Sequence, residues 1–152
     1  MMIELRKATD IETLCKWREE VILNVFGTRP SPELMKANEA YYARNIADGN
    51  HLAIIASVNG VDCGCGAICL SGELPSPDNP SGRCAYLMNI YVREAYRERG
   101  VAHTIIRQLI TEATERGCGK IFLETTDEGR SIYVSLGFEE MNDMMKLKTE
   151  KL

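Results

Sequence analysis

Apolar residues recur along the chain first with the spacing of helices and then with that of strands. Helical spacing predicts a helix over residues 10–25, preceded by a capping box that begins at Thr9. A second helix is predicted with Ser31 as its N-cap and Pro32 at its first position, ending near residue 46. The first third of the chain is therefore expected to be mainly helical.

The segments that follow carry the pattern of strands. Asn59 and Gly60 form a strong turn signal between two apolar runs, which predicts a hairpin. The predicted strands cover residues 3–8, 52–58, 61–70, 84–92 and 121–125, with one or two more in residues 138–147. On the strand over residues 84–92, alternation places these side chains on a shared face: Tyr86, Met88, Ile90 and Val92.

Two more helices complete the pattern. One runs from Gly100 to about residue 116, and a short one covers residues 128–136 with Gly137 at its C-terminal end. The element order predicts an α+β (mixed α/β) fold. We expect a central, mostly antiparallel sheet of six or seven strands flanked by about four helices, in a single domain over residues 1–152.

Composition and charge narrow the possible functions. A formal net charge of -4 argues against a broad nucleic-acid-binding surface, which needs clustered positive charge. No apolar run approaches the ~20 residues of a membrane span, and the N-terminus lacks the apolar core of a signal peptide, so we expect a cytoplasmic protein.

The cysteines are expected to be reduced thiols. They do not form a Cys-x-x-Cys pair, and the two histidines, His51 and His103, are far apart in sequence, so the ligand spacing of a metal site is absent. The six cysteines are Cys15, Cys63, Cys65, Cys69, Cys84 and Cys118.

The segment over residues 89–102 carries the clearest chemical signal. It reads as a strand, a short turn and a helix that begins at an Arg-x-x-Gly-x-Ala sequence formed by Arg97, Gly100 and Ala102. The amides and the positive dipole end of a helix N-terminus can bind an anion such as pyrophosphate. A Walker loop is absent, and the Gly64-Cys65-Gly66 segment lacks the third glycine of a dinucleotide-binding loop.

These residues resemble the GNAT acetyltransferase superfamily. Tyr91-Val92 through Arg97-Glu98-Arg99-Gly100-Val101-Ala102 is similar to its pyrophosphate-binding motif, and residues 131–138 are similar to its Tyr-x-x-Leu-Gly-Phe segment. The resemblance covers nearly the whole chain and is strongest over residues 84–138. Residues 74–82 and 89–91 resemble a bacterial subgroup of unassigned acceptor.

The resemblance implies an acyl-CoA-dependent N-acyltransferase that uses acetyl-CoA as co-substrate and no metal. It implies that the backbone of Val92 bonds the pantetheine arm, that the amide of Ile90 faces the acetyl carbonyl, and that Tyr133 gives a proton to the departing thiolate. The implied cofactor-binding residues are Ile90, Tyr91, Val92, Arg97, Glu98, Arg99, Gly100, Val101, Ala102, His103 and Arg130.

The general base and the acceptor site are less defined. The strand over residues 84–92 carries no acidic residue, which leaves Glu124, Asp127 or ordered water to take the proton of the amine; Asp127 also suits a helix cap. Arg18 or Arg29 would suit a carboxylate-bearing acceptor. The other candidates for the acceptor pocket are Trp17, Tyr41, Tyr42, Glu73, Tyr86 and Asn89.

Three functions remain open on these residues. The first is acetylation of the primary amine of a small molecule. The second is acetylation of a protein or peptide amine, and the acidic balance disfavours charged tRNA as acceptor. The third is a non-catalytic module that binds acyl-CoA. The resemblance also favours a homodimer.

Overall fold

The computed structural model describes residues 2–151, which form five strands and four α-helices in the predicted order. The elements are β1 (Ile3–Ala8), α1 (Ile11–Val21), α2 (Pro32–Ala47), β2 (His51–Val58), β3 (Val61–Gly72), β4 (Arg83–Val92), α3 (Val101–Glu115), β5 (Lys120–Phe122) and α4 (Arg130–Ser135). The sheet keeps the chain order β1-β2-β3-β4-β5, with antiparallel neighbours except for the parallel pair β4–β5. The α+β class, the four helices and the mostly antiparallel sheet are confirmed.

The prediction of six or seven strands is wrong for the described part of the chain. Residues 138–147 were expected to add one or two strands, but they form no strand. Apart from Phe138, which packs against the core, their apolar side chains are exposed, Met145 fully and Leu147 to 67%. Because neither face of this segment is buried, its alternating residues do not stabilise pairing with a neighbouring strand.

The N-terminal helices follow their capping signals with one correction. Asp10, and not Thr9, is the N-cap of α1, and its carboxylate accepts a hydrogen bond from the amide of Thr13. Both residue types can cap a helix, so the sequence left two adjacent choices. The α-helix ends at Val21, and a π-helical turn over Ile22–Phe26 completes the predicted segment.

Two local predictions are confirmed in detail. Ser31 caps α2, its hydroxyl accepting a hydrogen bond of 3.1 Å from the amide of Leu34. Asn59 and Gly60 have φ angles of 52° and 82°, and Val58 pairs with Val61 across them. Positive φ at both central residues is the requirement of a type I′ hairpin turn, which matches the right-handed twist of the strands.

The sheet separates two layers of helices. Helix α3 covers one face with Ile105, Ile106 and Leu109, which are fully buried, whereas α1 and α2 cover the other face. A Cβ atom on Gly66 would lie 2.7 Å from side-chain atoms of both Ile105 and Ile90. Gly66 therefore lets α3 pack closely on β3.

A β-bulge at Asn89 interrupts strand β4. Cys65 of β3 pairs with Tyr91, but Ala67 pairs with Met88, so β4 carries one extra residue between them. Asn89 has a φ angle of 59°. The bulge moves the following side chains to the other face, which is the usual effect of one inserted residue.

The predicted shared face of β4 is therefore wrong. Ile90 and Val92 pack with Leu87 in the core beneath α3, whereas Met88 packs with the cluster beneath α1 and α2. Simple alternation holds up to Met88 and changes phase at the bulge.

Candidate functional site

Strands β4 and β5 separate after only three residue pairs. The last pair is Tyr86 with Phe122, and β4 then continues to Val92 without β5 beside it. An opening between two parallel strands leaves the backbone groups along one edge of β4 available to a ligand. Ile90 and Val92, the predicted contacts of the acetyl and pantetheine groups, lie on this free stretch.

The loop before α3 is shaped by two residues with positive φ. Glu98 has a φ angle of 63° and Gly100 one of 82°. Gly100 is the N-cap of α3, and no side chain caps this helix. Left-handed residues among right-handed ones turn successive amides toward one centre, so this loop and the helix terminus form a concave site for an anion.

A cavity of 140 Å³ lies against this loop. It brings together most of the predicted pyrophosphate residues with Ile132 of α4. Its lining is Val92, Tyr96, Arg97, Glu98, Gly100, Val101, Ala102, His103 and Ile132. Arg99 is not among them; its guanidinium carbon lies 5.5 Å from the centre of the Tyr96 ring.

The side chains of Ile90 and Tyr91 also lie away from this cavity. Ile90 packs into the core beneath α3. Tyr91 faces the opposite side of the sheet, where its ring meets that of Trp17 edge-on at 6.5 Å. Any role of these two residues toward a ligand therefore belongs to their backbone atoms.

Tyr133 lies on α4, between two cavities. Its neighbour Ile132 lines the cavity of the loop, but Tyr133 itself lines a larger one of 630 Å³ that β5, α4 and the chain after α4 enclose. Burial raises the pKa of the Tyr133 phenol, so it stays protonated at neutral pH. Its ring packs edge-on against Phe138 at 5.7 Å.

Arg130 shares the larger cavity with Tyr133 and not the loop cavity. Its guanidinium is bonded to the carboxylates of Asp127 and Glu140. A contact of Arg130 with a phosphate would require these two exposed partners to give way. The structure therefore separates Arg130 from the other predicted cofactor residues.

His103 connects the two parts of the site. Its Nε2 lies 3.0 Å from the hydroxyl oxygen of Ser135. The bond joins the first turn of α3 to the last turn of α4. This bond is a side-chain contact between α3, whose N-terminus adjoins the anion loop, and the helix that carries Tyr133.

The two carboxylates considered as base have different surroundings. Glu124 follows β5 at the opening of the sheet and accepts a hydrogen bond of 3.0 Å from the hydroxyl of Tyr86. Burial and this carboxylate raise the pKa of Tyr86 to about 12. Asp127 is bonded to Arg130 and does not cap α4, whose N-cap is Gly129.

The candidates for the acceptor pocket divide into two groups. Arg18 and Asn89 are in contact, since Nη1 of Arg18 donates a hydrogen bond of 2.9 Å to Oδ1 of Asn89. Nε of the same guanidinium donates to Oδ1 of Asn38, at 3.2 Å. Asn38 could not be found from the sequence, because nothing in α2 marks a contact with a residue twenty positions earlier.

The remaining acceptor candidates have structural partners elsewhere. Trp17 is buried beneath the guanidinium of Arg93, and Tyr41 lies 2.9 Å from Nδ1 of His51. Glu73 is bonded to Asn79 and Lys120 at the end of β4 opposite to Asn89. Arg29 is exposed, with Glu19 3.9 Å away.

The six thiols are all free. Burial raises the pKa of Cys65 to about 12, which removes its thiolate at neutral pH. Within residues 2–151, no three His, Cys, Asp or Glu side chains are grouped so as to hold a metal ion. In the same residues, no helix has the length and apolar character needed to cross a membrane.

Comparison with known proteins places this arrangement among acetyltransferases. A model of the acetyltransferase (GNAT) family matches residues 12–138. Glucosamine 6-phosphate N-acetyltransferase 1 of Oryza sativa subsp. japonica is 30% identical over 125 residues, which cover 78% of this chain and 72% of that protein. Thialysine N-epsilon-acetyltransferase of Sus scrofa is 28% identical over 97 residues, which cover 49% and 57% of the two chains.

A solved structure extends the likeness to the whole chain. The crystal structure of a predicted acetyltransferase from Clostridium acetobutylicum with acetyl-CoA is similar at a TM-score of 0.89. The match covers 99% of each chain at 27% identity.

Proposed function

The chain belongs to the GNAT family of acetyl-CoA-dependent N-acetyltransferases, and we propose that it transfers the acetyl group directly to the primary amine of a small molecule in a ternary complex. The observation that carries this proposal is the position of the uncapped N-terminus of α3 beside the end of β4. It combines an anion site with a strand edge that a long, thin ligand can follow.

The elements fit the parts of acetyl-CoA in order. The amides of the Arg97–Gly100 loop and of the first turn of α3 would bind the pyrophosphate. The backbone of Val92 would bond the pantetheine arm, and the amide of Ile90 would face the acetyl oxygen. The fit is supported by the absence of a side-chain cap on α3, because its first amides are left without an internal acceptor.

The chemistry needs two proton transfers. The amine nitrogen attacks the carbonyl carbon, negative charge collects on the carbonyl oxygen, and the carbon–sulfur bond then breaks. The amide of Ile90 would stabilise that oxygen. The amine must lose one proton, and the sulfur of CoA must gain one.

Tyr133 and Glu124 supply groups of the right kind for these transfers. The raised pKa of Tyr133 keeps its proton available to a thiolate. Glu124 stands where β4 and β5 separate, and it lines the same cavity as Tyr133. We assign the sulfur proton to Tyr133 and the amine proton to Glu124, directly or through a water molecule.

A small-molecule acceptor is supported by the relatives. Glucosamine 6-phosphate and thialysine, the compounds in the names of two of them, are both small primary amines. The low identity does not transfer either compound to this chain. The two names support only the substrate class, which is a small molecule with a primary amine.

The first test is thermal unfolding with acetyl-CoA, free CoA and NAD. A ligand present at about 100 times its dissociation constant adds roughly 2.7 kcal/mol of stability, which raises the midpoint by several degrees. We expect a rise with both CoA compounds and none with NAD. The second step is an amine screen in which release of the CoA thiol is followed. No rise with acetyl-CoA would contradict the proposed function.

A further inference from the structure

The guanidinium of Arg18 is held in one position by two amide side chains. Nε donates to Asn38 of α2, and Nη1 donates to Asn89 at the bulge of β4. Arg18 itself is on α1 and half-buried. Three elements of the chain therefore fix the orientation of one cation.

This cation has no carboxylate partner in residues 2–151. The ion pairs of this part of the chain do not include Arg18. The carboxylate of Glu20, which is also on α1, is paired with Arg93 instead. One group near Arg18 is neutral: burial raises the pKa of the Tyr42 phenol to about 12, although the charge of Arg18 acts to lower it. A half-buried guanidinium without a counter-charge can gain charge-assisted hydrogen bonds when an anion binds its free N–H groups.

Part of the guanidinium is open to a ligand. Only two of its five N–H groups have acceptors among the described residues. No side-chain nitrogen or oxygen in this part of the chain is both buried and without a hydrogen-bond partner. Nη2 is therefore reachable from solvent, while the other two nitrogens hold the fork in place.

The position of the cation relates it to the proposed reaction. Asn89 directly precedes Ile90, whose amide we assign to the acetyl oxygen. Tyr86 lies between two residues that pack against α3, so its side chain is on the opposite face, the one that α1 and α2 cover, and its hydroxyl donates a hydrogen bond to Glu124. Arg18 approaches β4 from this same face.

We propose that Arg18 is the anion subsite of the acceptor, and that the enzyme acetylates small amines carrying a carboxylate or a phosphate. This inference rests on the proposed acetyltransferase function. An anion on Nη2 would direct the amine of the same molecule toward the acetyl group beside Ile90. A neutral amine would leave the guanidinium without its counter-charge.

The test compares matched pairs of acceptors. Glucosamine 6-phosphate is paired with glucosamine, and lysine with lysinamide, so that each pair differs by one anionic group. The readout is the ratio of kcat/KM between the members of a pair, from the release of the CoA thiol. The wild-type protein is expected to prefer the anionic member of at least one pair by roughly 10- to 100-fold. The pair with the larger ratio identifies carboxylate or phosphate.

Three variants assign the preference to Arg18. Arg18→Gln is expected to bring the ratio close to one, whereas Arg18→Lys keeps part of it, because lysine retains the charge and loses the planar fork. Arg29→Gln is the matched control: Arg29 is exposed, and its removal should leave the ratio unchanged. If Arg18→Gln does not fold, a ratio at least about threefold lower in Arg18→Lys supports the subsite, and an unchanged ratio contradicts it.

Several outcomes would overturn the inference. One is a wild-type protein without preference in either pair, and another is an unchanged ratio in Arg18→Gln, which would make Arg18 a support for the bulge only. A protein stabilised by acetyl-CoA that acetylates none of the four amines also contradicts it. Absence of that stabilisation is a different result, because it overturns the proposed function itself.

Discussion

Nε of Arg97 donates a hydrogen bond of 2.9 Å to the carbonyl oxygen of Val92. The bond joins the anion loop to the end of β4, where the pantetheine arm is proposed to bind. The Arg97 side chain thus contacts the carbonyl of Val92, which is assigned to the pantetheine arm. It also lines the cavity that is assigned to the pyrophosphate.

The first prediction separates these two contacts of Arg97. Arg97→Gln should weaken acetyl-CoA binding roughly 10-fold, because a charge beside the pyrophosphate is lost. Binding of an acetyl-pantetheine thioester, which has no pyrophosphate, should be no weaker. Isothermal titration with both compounds measures this. Equal weakening of both would show that Arg97 acts by holding the strand end.

The second prediction concerns the left-handed residue at the start of α3. Gly100 has a φ angle of 82°, which strains any L-residue there, and a Cβ atom on it would meet no atom within 4 Å. Gly100→Glu and Gly100→Gln share the strain and the approximate size, but only the first adds a negative charge. We expect Gly100→Glu to abolish acetyl-CoA binding and Gly100→Gln to retain it with reduced affinity.

Thermal unfolding with the ligand provides the measurement for this pair. If the two variants bind acetyl-CoA equally, then the loop does not hold an anion, and the pyrophosphate is bound elsewhere. The midpoint of thermal unfolding without ligand, measured for both variants, gives the loss of stability that the strained backbone causes in each.

The parts of the site that the sequence predicted are those with local signals. The loop from Arg97 to Ala102 combines a strand end, a glycine and a helix start within a few residues, and the hairpin at Asn59 depends on two adjacent residues. The family could be named for the same reason, since both of its motifs are short and contiguous. Local geometry needs little information from the rest of the chain.

The features that the sequence did not reveal depend on distant partners. Asn89 is a residue type that tolerates positive φ, but alternation along β4 continues past it without a break in the pattern. Its contact with Arg18 spans 71 positions. The separation of Tyr133 from the loop cavity depends on how α4 is oriented, and a helical pattern does not determine that.

The third prediction tests Tyr133 as proton donor. Tyr133→Phe should lower kcat about 100-fold and leave acetyl-CoA affinity unchanged, because only the hydroxyl is removed. Deprotonation of Tyr133 should not lower the rate of the wild-type protein until the pH exceeds the ordinary pKa of a tyrosine phenol, because burial raises the pKa of this phenol.

A matched control for this variant is Tyr41→Phe. The hydroxyl of Tyr41 is engaged with His51 on α2 and β2, away from both cavities. The Tyr41→Phe variant should therefore retain the kcat of the wild-type protein. An unchanged kcat in Tyr133→Phe would remove the donor role, and the larger cavity would then need another explanation.

The last prediction concerns stability against acid and rests on His51. Its ring is buried between Tyr41 and Tyr42, and burial lowers the pKa to about 4. In the unfolded chain the imidazole takes up a proton below about pH 6.5. The stability that the neutral ring contributes to the folded state is therefore fully present above that pH, and it is lost as the pH falls toward 4. The loss is on the order of 3 kcal/mol in the free energy of unfolding.

Urea unfolding at several pH values from 4 to 7 isolates this contribution. Between the ends of the range, the wild-type protein should lose more free energy of unfolding than His51→Gln, by an amount on the order of 2–3 kcal/mol. His103→Gln makes the same substitution at the other histidine, which is less buried, and serves as the matched control. Carboxylates that titrate near pH 4 contribute alike to all three proteins and cancel in the comparison. If the wild-type protein and His51→Gln show the same dependence, the folded protein accommodates a charged His51, and burial by the two tyrosines does not exclude the proton.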